Sequence, residues 1–453
     1  LEPELLLAGA ATSNISPPLG VSLNGGMQDR KATYIHDELH ARAIVLKSGS
    51  TQIAIVVCDS CMLPRGILDR AKQLAHTHTG IPLDHILVSA THTHTAPTAA
   101  GVFQSEPDAA YIEFLITRIS DAIRRAAHNL APARVGWGTG ELASQVFNRR
   151  WRMRETVSLV DPFGRPDRVK MNPPVASPDL IDPAGPTDPQ IGILSIQRGD
   201  GSPLAVLANY SLHYVGGTGA GDVSADYFGA FARSLGAKLN AERLDPPFVA
   251  IMSNGTSGNI NNVNFRERGE ARPPYLQINM VGDLAASEVA RVVRSIEHHD
   301  RAIIDMRQTS LRLARRRTPP EEVAKARYLL SQAAPGQLTE VAQIYARETV
   351  LLNEYPPLVE TLVQALRIGE LGIVTSPCET FVETGLAIKA NSPLKPTFVV
   401  ELANDYCGYL PTAEHHALGG YETWRARSSF LDVEAEARLR AAMLELLAAV
   451  ARA

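Results

Sequence analysis

Apolar positions along the chain switch between a period of two and a helical period, and that alternation predicts an α/β protein with a mixed sheet core flanked by helices. Leu1–Ala11 reads as an opening strand. Ala41–Lys47 and Gln52–Cys58 read as a hairpin about Ser48–Thr51, followed by a helix over Leu63–His78 and a short buried strand over His85–Ser89. Tyr111–Asn129 carries apolar residues at helical spacing, and Arg134–Gly140 is strand-like. From Arg149 to Pro189 the pattern stops in a stretch dense in Pro, Asp and Arg, which predicts a long functional loop. Strands resume at Ile191–Gln197 and Leu204–Leu212. A helix follows over Asp226–Leu239, a strand over Pro247–Ser253 and a long helix over Gln277–His298. Pro319–Leu352 reads as a helical hairpin broken near Pro335–Gly336. Leu366–Ile368 and Leu371–Thr375 are strands about Gly369, Thr397–Leu402 is another, and Leu431–Ala451 is an amphipathic closing helix. With no Ser/Gly-rich linker and no internal repeat, one catalytic domain is expected over residues 1–453. It carries a loop insertion over about 150–189 and a helical hairpin insertion over about 319–353.

Composition changes this picture little. The 453 residues are 45% hydrophobic and 20% charged, with a net charge of −4, ordinary for a chain with a sizeable core. Dispersed charges leave no footprint for nucleic acid, and no apolar run reaches the roughly 20 residues of a membrane helix. The chain does not begin with Met, so cytoplasmic and exported locations both stay open. Four cysteines do not make a disulfide scaffold. Cys58 and Cys61 have redox-motif spacing, but Cys58 ends an apolar run and the pair reads more simply as buried thiols.

The informative feature is where polar residues gather. In α/β sheets, ligands bind beyond the carboxyl ends of strands. Five polar clusters here directly follow apolar strand runs: Thr91–Thr95, Ser211–His213, Ser253–Asn259, Ser376–Glu379 and Asn404–Tyr409. If those strands share a sheet, the clusters converge on one rim. His92 and His94 lie two apart, which in an extended segment points both imidazoles one way. Such a pair suits a metal ion, or is simply two loop histidines. His213 reads as a ligand or as a satisfied core residue. Glu379 reads as a ligand or as a first-turn carboxylate on a helix dipole. Asp59, Asp222 and Asp226 read equally as caps. Taken together, three N/O donors with an open position fit catalytic zinc better than structural zinc.

The segment Thr91-His92-Thr93-His94-Thr95-Ala96-Pro97 resembles the T-H-T-H-S-G-P motif of the neutral/alkaline non-lysosomal ceramidase family. His36–Ala43 resembles its early strand entrance, and Asn148-Arg149 the start of its N-R-S-P segment. Asp188-Pro189 and the strands leading to His213 resemble the region before its second histidine. Cys378-Glu379 stands where the family has P-G-E. Asn404-x-Tyr406-x-x-Tyr409-x-x-Thr412-x-Glu414 with Gly420-Tyr421-Glu422 resembles its tyrosine-rich segment.

The resemblance implies Zn2+ held by His92, His213, Glu379 and Tyr409. It implies that His94 and Tyr421 donate to the scissile carbonyl oxygen, and that Arg149 grips a polar part of the substrate. Asn261 stands where the family has a serine near the metal, with Ser257 close by but out of alignment. No counterpart of the family's C-terminal immunoglobulin-like domain is expected. The activity implied is hydrolysis of an amide (N-acyl) bond by metal-activated water, on a small N-acylated or lipid-like molecule. The 160–189 loop and the 319–353 hairpin are expected to wall the substrate groove. Charges such as Arg165, Asp167, Arg168 and Lys170 suit a polar or sugar-derived substrate, and an ester, lactone, glycosidic or phosphate ester bond is the alternative. Loss of the serine is the sole argument for an inactive binding protein.

Overall fold

A computed structural model describes residues 4–452, so Leu1 to Pro3 of the opening strand and the last residue lie outside the described residues. The core is two β-sheets packed face to face with helices on both outer sides. The larger sheet runs Val249–Asn254, Pro203–Tyr210, Gln190–Arg198, Ala131–Glu141, Glu4–Asn14, His40–Ser48, Thr51–Cys58, Ile86–Ala90, with Arg301–Ala302 beside the Glu4 end. Its interior is antiparallel, and its two outermost pairings are parallel. The smaller sheet runs Ile304–Ala314, Leu358–Ile368, Leu371–Thr375, Thr397–Val400.

Strands buried on both faces are apolar almost throughout, as Ile53–Cys58 is and as Ile86–Ala90 is apart from Ser89. Ile44, Ile55, Leu194, Leu207 and Ile251 of the larger sheet meet Met306, Leu366, Ile373, Phe398 and Val400 of the smaller. On the outer side, the helices Arg65–Thr79 and Ala109–His128 cover one half of the larger sheet, and Asp226–Lys238 and Leu276–Val293 cover the other. The closing helix Ala435–Ala451 covers the smaller sheet through Leu439, Met443 and Leu447. Each such side chain, fully buried, contributes roughly 1.5–3 kcal/mol.

Two expectations change, and one strand goes unread in the sequence. The five polar clusters follow strands of two facing sheets rather than one, yet their carboxyl ends still meet. The stretch 149–189 is not structureless: Arg150–Met153 pairs with both Val169–Met171 and Leu180–Pro183 in a small separate sheet. Ile304–Ala314, polar and half exposed, is a full strand paired along Leu358–Ile368. The helical hairpin is present as Pro320–Ser331 and Val341–Leu352. Among the described residues, no helix is long and apolar enough to cross a membrane.

One buried cation ties this frame to the clusters. Lys72 donates to Asn404 Oδ1 at 2.6 Å, the same oxygen accepts from Val88 N at 3.3 Å, and Asn404 Nδ2 donates to Gln364 at 2.8 Å. Burial pulls the Lys72 ammonium down to about 8. Its folded value lies below its unfolded value, so between pH 8 and about 10.5 the unfolded chain binds more protons and stability rises with pH. Wild type is therefore expected to gain roughly 3 kcal/mol over Lys72→Met across that window. Urea unfolding of both proteins at pH 7.5 and 10.5 checks it, and a difference that does not change with pH refutes it.

Candidate metal centre

Three ligand-type atoms converge where the strand ends meet. His92 Nε2 lies 3.0 Å from His213 Nε2 and 3.2 Å from Glu379 Oε2, and the latter two are 3.8 Å apart. His94 Nε2 stands 3.1 Å from His92 Nε2. His92, His213 and Glu379 are each at most 2% exposed.

The extended-segment argument for His92 and His94 does not describe the backbone. His92 has φ 74°, a left-handed conformation that costs a non-glycine residue energy and tends to persist where function needs it. The loop is fixed on both sides: His92 N donates to Ser60 O, and the Thr93 and Thr95 hydroxyls both donate to Ser224 O. His94 stacks on Tyr214 at 3.7 Å. Gly25 has φ +100°, and a Cβ there would sit 2.5 Å from the His94 Cβ and Cγ, so glycine is what lets that loop close over the ring.

Neighbours set the tautomers. His92 Nδ1 faces Cys61 O at 2.7 Å and His213 Nδ1 faces Ser257 O at 3.1 Å. Each carbonyl accepts only an N–H, so both protons sit on Nδ1 and both Nε2 lone pairs point at the same spot. Two lone pairs 3.0 Å apart repel. Glu379 Oε2, buried at the same place, accepts no hydrogen bond. A divalent cation relieves all three conditions at once, so the donor set fits a metal. Without one, burial opposes the His92 imidazolium, but Glu379 outweighs it and holds His92 well above the usual histidine range, so a proton on His92 Nε2 takes the place that a cation would fill. Burial and His92 hold His213 and His94 well below it.

The remaining donors are also braced. Tyr406 Oη donates to Glu379 Oε1 at 3.0 Å. Tyr409 pairs with Glu379 in short parallel strands, and Arg149 Nη2 donates to its hydroxyl at 3.1 Å. Burial and the Glu379 charge raise the Tyr409 phenol well above its ordinary value, and Arg149 opposes them. Arg149 is 4% exposed and spends its guanidinium on Glu422 at 2.9 Å, Gly258 O at 2.8 Å and Tyr409. Only its Nη1 faces the centre, 3.5 Å from His213 Nε2. It braces the tyrosine rather than lining the cavity. Tyr421 packs edge-on against Tyr409 with ring centroids 5.8 Å apart.

Asn261 lies elsewhere. It pairs with Phe147, and its side chain holds Asn172 and the Val263 amide. The nearby serine is Ser257, whose Oγ is 3.3 Å from His213 Nδ1 and 2.7 Å from Glu401. Glu401 itself escaped the sequence reading, although it is the single charged residue ending the apolar run Phe398–Val400. Burial pushes its carboxyl up to about 8.

The cavity beside the cluster has about 30 Å³ of free room, walled by Gly25, Met62, Phe103, Tyr406 and Tyr421 among others. Tyr421 also lines an outer cavity of about 270 Å³ formed with Leu159, Asp167, Lys170 and Trp424. A separate cavity of about 930 Å³, lined by Arg124, Arg125 and His128 among others, shares no residue with the cluster.

The family model described as neutral/alkaline non-lysosomal ceramidase, N-terminal, matches residues 7–268. The chain belongs to that family. The neutral ceramidase of Pseudomonas aeruginosa strain PAO1 is 23% identical over 463 residues, covering 87% of this chain and 64% of the relative. The chain thus spans less than two thirds of that relative. The crystal structure of the P. aeruginosa neutral ceramidase superposes with a TM-score of 0.73 at 19% identity, covering 99% of this chain and 75% of that one. A ceramidase complexed with C2 superposes with 0.72 at 17% identity, covering 99% and 76%. These structures establish that the ceramidase-family chain has the ceramidase fold. The family match takes in His92, His94, Arg149 and His213 and ends before Glu379, Tyr409 and Tyr421, which the fold alone brings to the same place.

Proposed function

We propose that this chain is a zinc-dependent hydrolase that cuts an amide bond of an N-acylated small molecule. The observation that carries the reading is the convergence of the His92 and His213 lone pairs with the unpartnered Glu379 oxygen at one buried point. His92, His213, Glu379 and Tyr409 would hold the ion, a mixed N/O set that leaves room for one further group. Zinc, when bound, supplies Lewis acidity and makes water a nucleophile near neutral pH. His94 and Tyr421 line the cavity and offer donors to the carbonyl oxygen as charge develops there, each worth roughly 3–4 kcal/mol in comparable sites. Met62, Val102 and Phe103 exclude bulk water. A serine nucleophile is disfavoured, because Asn261 is turned away and the Ser257 hydroxyl is engaged by Glu401.

A second reading keeps the site and changes the bond to an ester, a lactone or a glycosidic link in a compact polar substrate. The narrow inner cavity and the Asp167 and Lys170 side chains in the outer one favour it. One panel separates the readings: ceramides of rising chain length, N-acyl amino sugars, and the matching esters, lactones and glycosides. Amide turnover that disappears on chelation and returns with zinc supports the first. Zinc-loaded, folded protein that cleaves only the esters or glycosides establishes the second.

A further inference from the structure

We propose that Glu401 is a positioning residue for the metal centre, its one carboxylate fixing the two backbone segments that aim His213 and Glu379. The proposal rests on the metal reading above. Glu401 is wholly buried. Its Oε1 accepts from Ser257 Oγ at 2.7 Å, and its Oε2 accepts from Thr380 N at 2.7 Å and Ser257 N at 3.3 Å. Its own amide donates to Asn254 O at 3.1 Å.

These partners are not scattered. Ser257 lends its carbonyl to His213 Nδ1, which sets that ring's tautomer and aim. Thr380 directly follows Glu379 and continues the two-residue strand that pairs Glu379 with Tyr409. The Ser257 segment leaves the larger sheet after Val249–Asn254, and the Glu379 segment leaves the smaller one after Leu371–Thr375. Glu401 therefore clasps the seam between the two sheets directly behind the ligands.

A buried carboxylate is costly to keep unless a cation pairs with it. Among the described residues, no lysine or arginine forms an ion pair with Glu401, and an apolar residue would suit the strand end Phe398–Val400 better. Its retained partners are instead those that orient metal donors. Such outer groups typically change metal affinity by about 10–100-fold. The clasp works in either protonation state, since a neutral carboxyl can donate to Ser257 Oγ while its other oxygen still accepts from Thr380 N.

The test is zinc affinity of the purified, metal-stripped full chain, measured by competition with a chromophoric chelator, with folding checked by circular dichroism. Glu401→Ala is expected to bind zinc about 10–100-fold more weakly than wild type. Glu401→Gln keeps an oxygen for Thr380 and a polar group for Ser257, and is expected within about threefold. If Glu401→Ala does not fold, Glu401→Asp carries the test: it keeps the charge but shortens the arm, and a loss of about tenfold is expected. Cobalt(II) substituted for zinc should show altered visible absorption in the weakened variants, a change that loss of stability alone does not produce. Folded Glu401→Ala or Glu401→Asp with wild-type zinc affinity and cobalt spectrum overturns the proposal and leaves the metal reading intact. A wild-type chain that binds no zinc overturns both.

Discussion

His213→Ala is expected to reduce bound zinc from about one per chain to background, and to lower kcat/KM on any substrate by at least about 1,000-fold. The ring is held at Nδ1 by Ser257, and its other nitrogen faces His92, Glu379 and Arg149. Truncation leaves His92, Glu379 and Tyr409, and removes the donor opposite His92. The three protein donors that remain leave open one corner of the tetrahedral set that a small divalent ion prefers. His92→Ala should behave alike. Asn261→Ala is the control: its side chain bonds Asn172 and Val263 N, outside the cluster, so zinc content and turnover should stay within about threefold of wild type. Elemental analysis after dialysis, run beside initial rates, gives the answer. An active His213→Ala protein without zinc would sink the mechanism, and an inactive Asn261→Ala protein that keeps its zinc would return that residue to the site.

The fold class was legible in the sequence, and so were the residue types that gather at the rim. Strand runs such as Ile53–Cys58 and Ile86–Val88 are apolar on both faces, so burial alone made them readable, and the polar segments after them marked the rim. Ile304–Ala314 was silent because it is polar and half exposed over most of its length, and its strand character comes from an eleven-residue pairing with Leu358–Ile368 rather than from its own pattern. The same holds for the small sheet around Arg150–Met153, whose partners lie within a Pro-rich stretch. That two sheets face each other is a tertiary fact, with no local signature in either. At the site, residue types were legible but their conformations were not. His92 meets His94 through a left-handed backbone turn, not through strand periodicity. Motif position put Asn261 at the centre, and the short strand it forms with Phe147 takes it away. Glu401 and Glu422 act through partners distant in sequence, so the motif took in Glu422 without its role and nothing in spacing or composition exposed Glu401.

Glu422→Ala is expected to destabilise the protein by about 3–5 kcal/mol. The carboxylate is wholly buried, with Oε1 on Arg149 Nε at 2.9 Å and Oε2 on Arg150 Nη1 at 2.5 Å. Burial raises the acid, but the two guanidinium groups outweigh it and hold Glu422 below the usual carboxylate value. Its folded value is thus the lower one, so its contribution is complete above the unfolded carboxyl pKa and is lost as pH falls through the folded value. The gap between wild type and Glu422→Ala should therefore be full at pH 7 and shrink below about pH 4. Denaturant midpoints at unchanged m-value measure it.

Most of the expected cost comes from leaving Arg149 and Arg150 buried without an anion, not from the pair's intrinsic worth. A double variant, Glu422→Leu with Arg150→Met, should then cost clearly less than the sum of the two single changes. Arg150 also holds Gly419 O, so some loss will remain in the double variant. Arg149 loses its anchor in every Glu422 variant, and with it the brace on Tyr409 weakens, so zinc affinity should fall along with stability. Glu422→Ala within about 1 kcal/mol of wild type at pH 7 would show that the two arginines are screened by water and that the clamp behind Tyr409 is not needed for the fold.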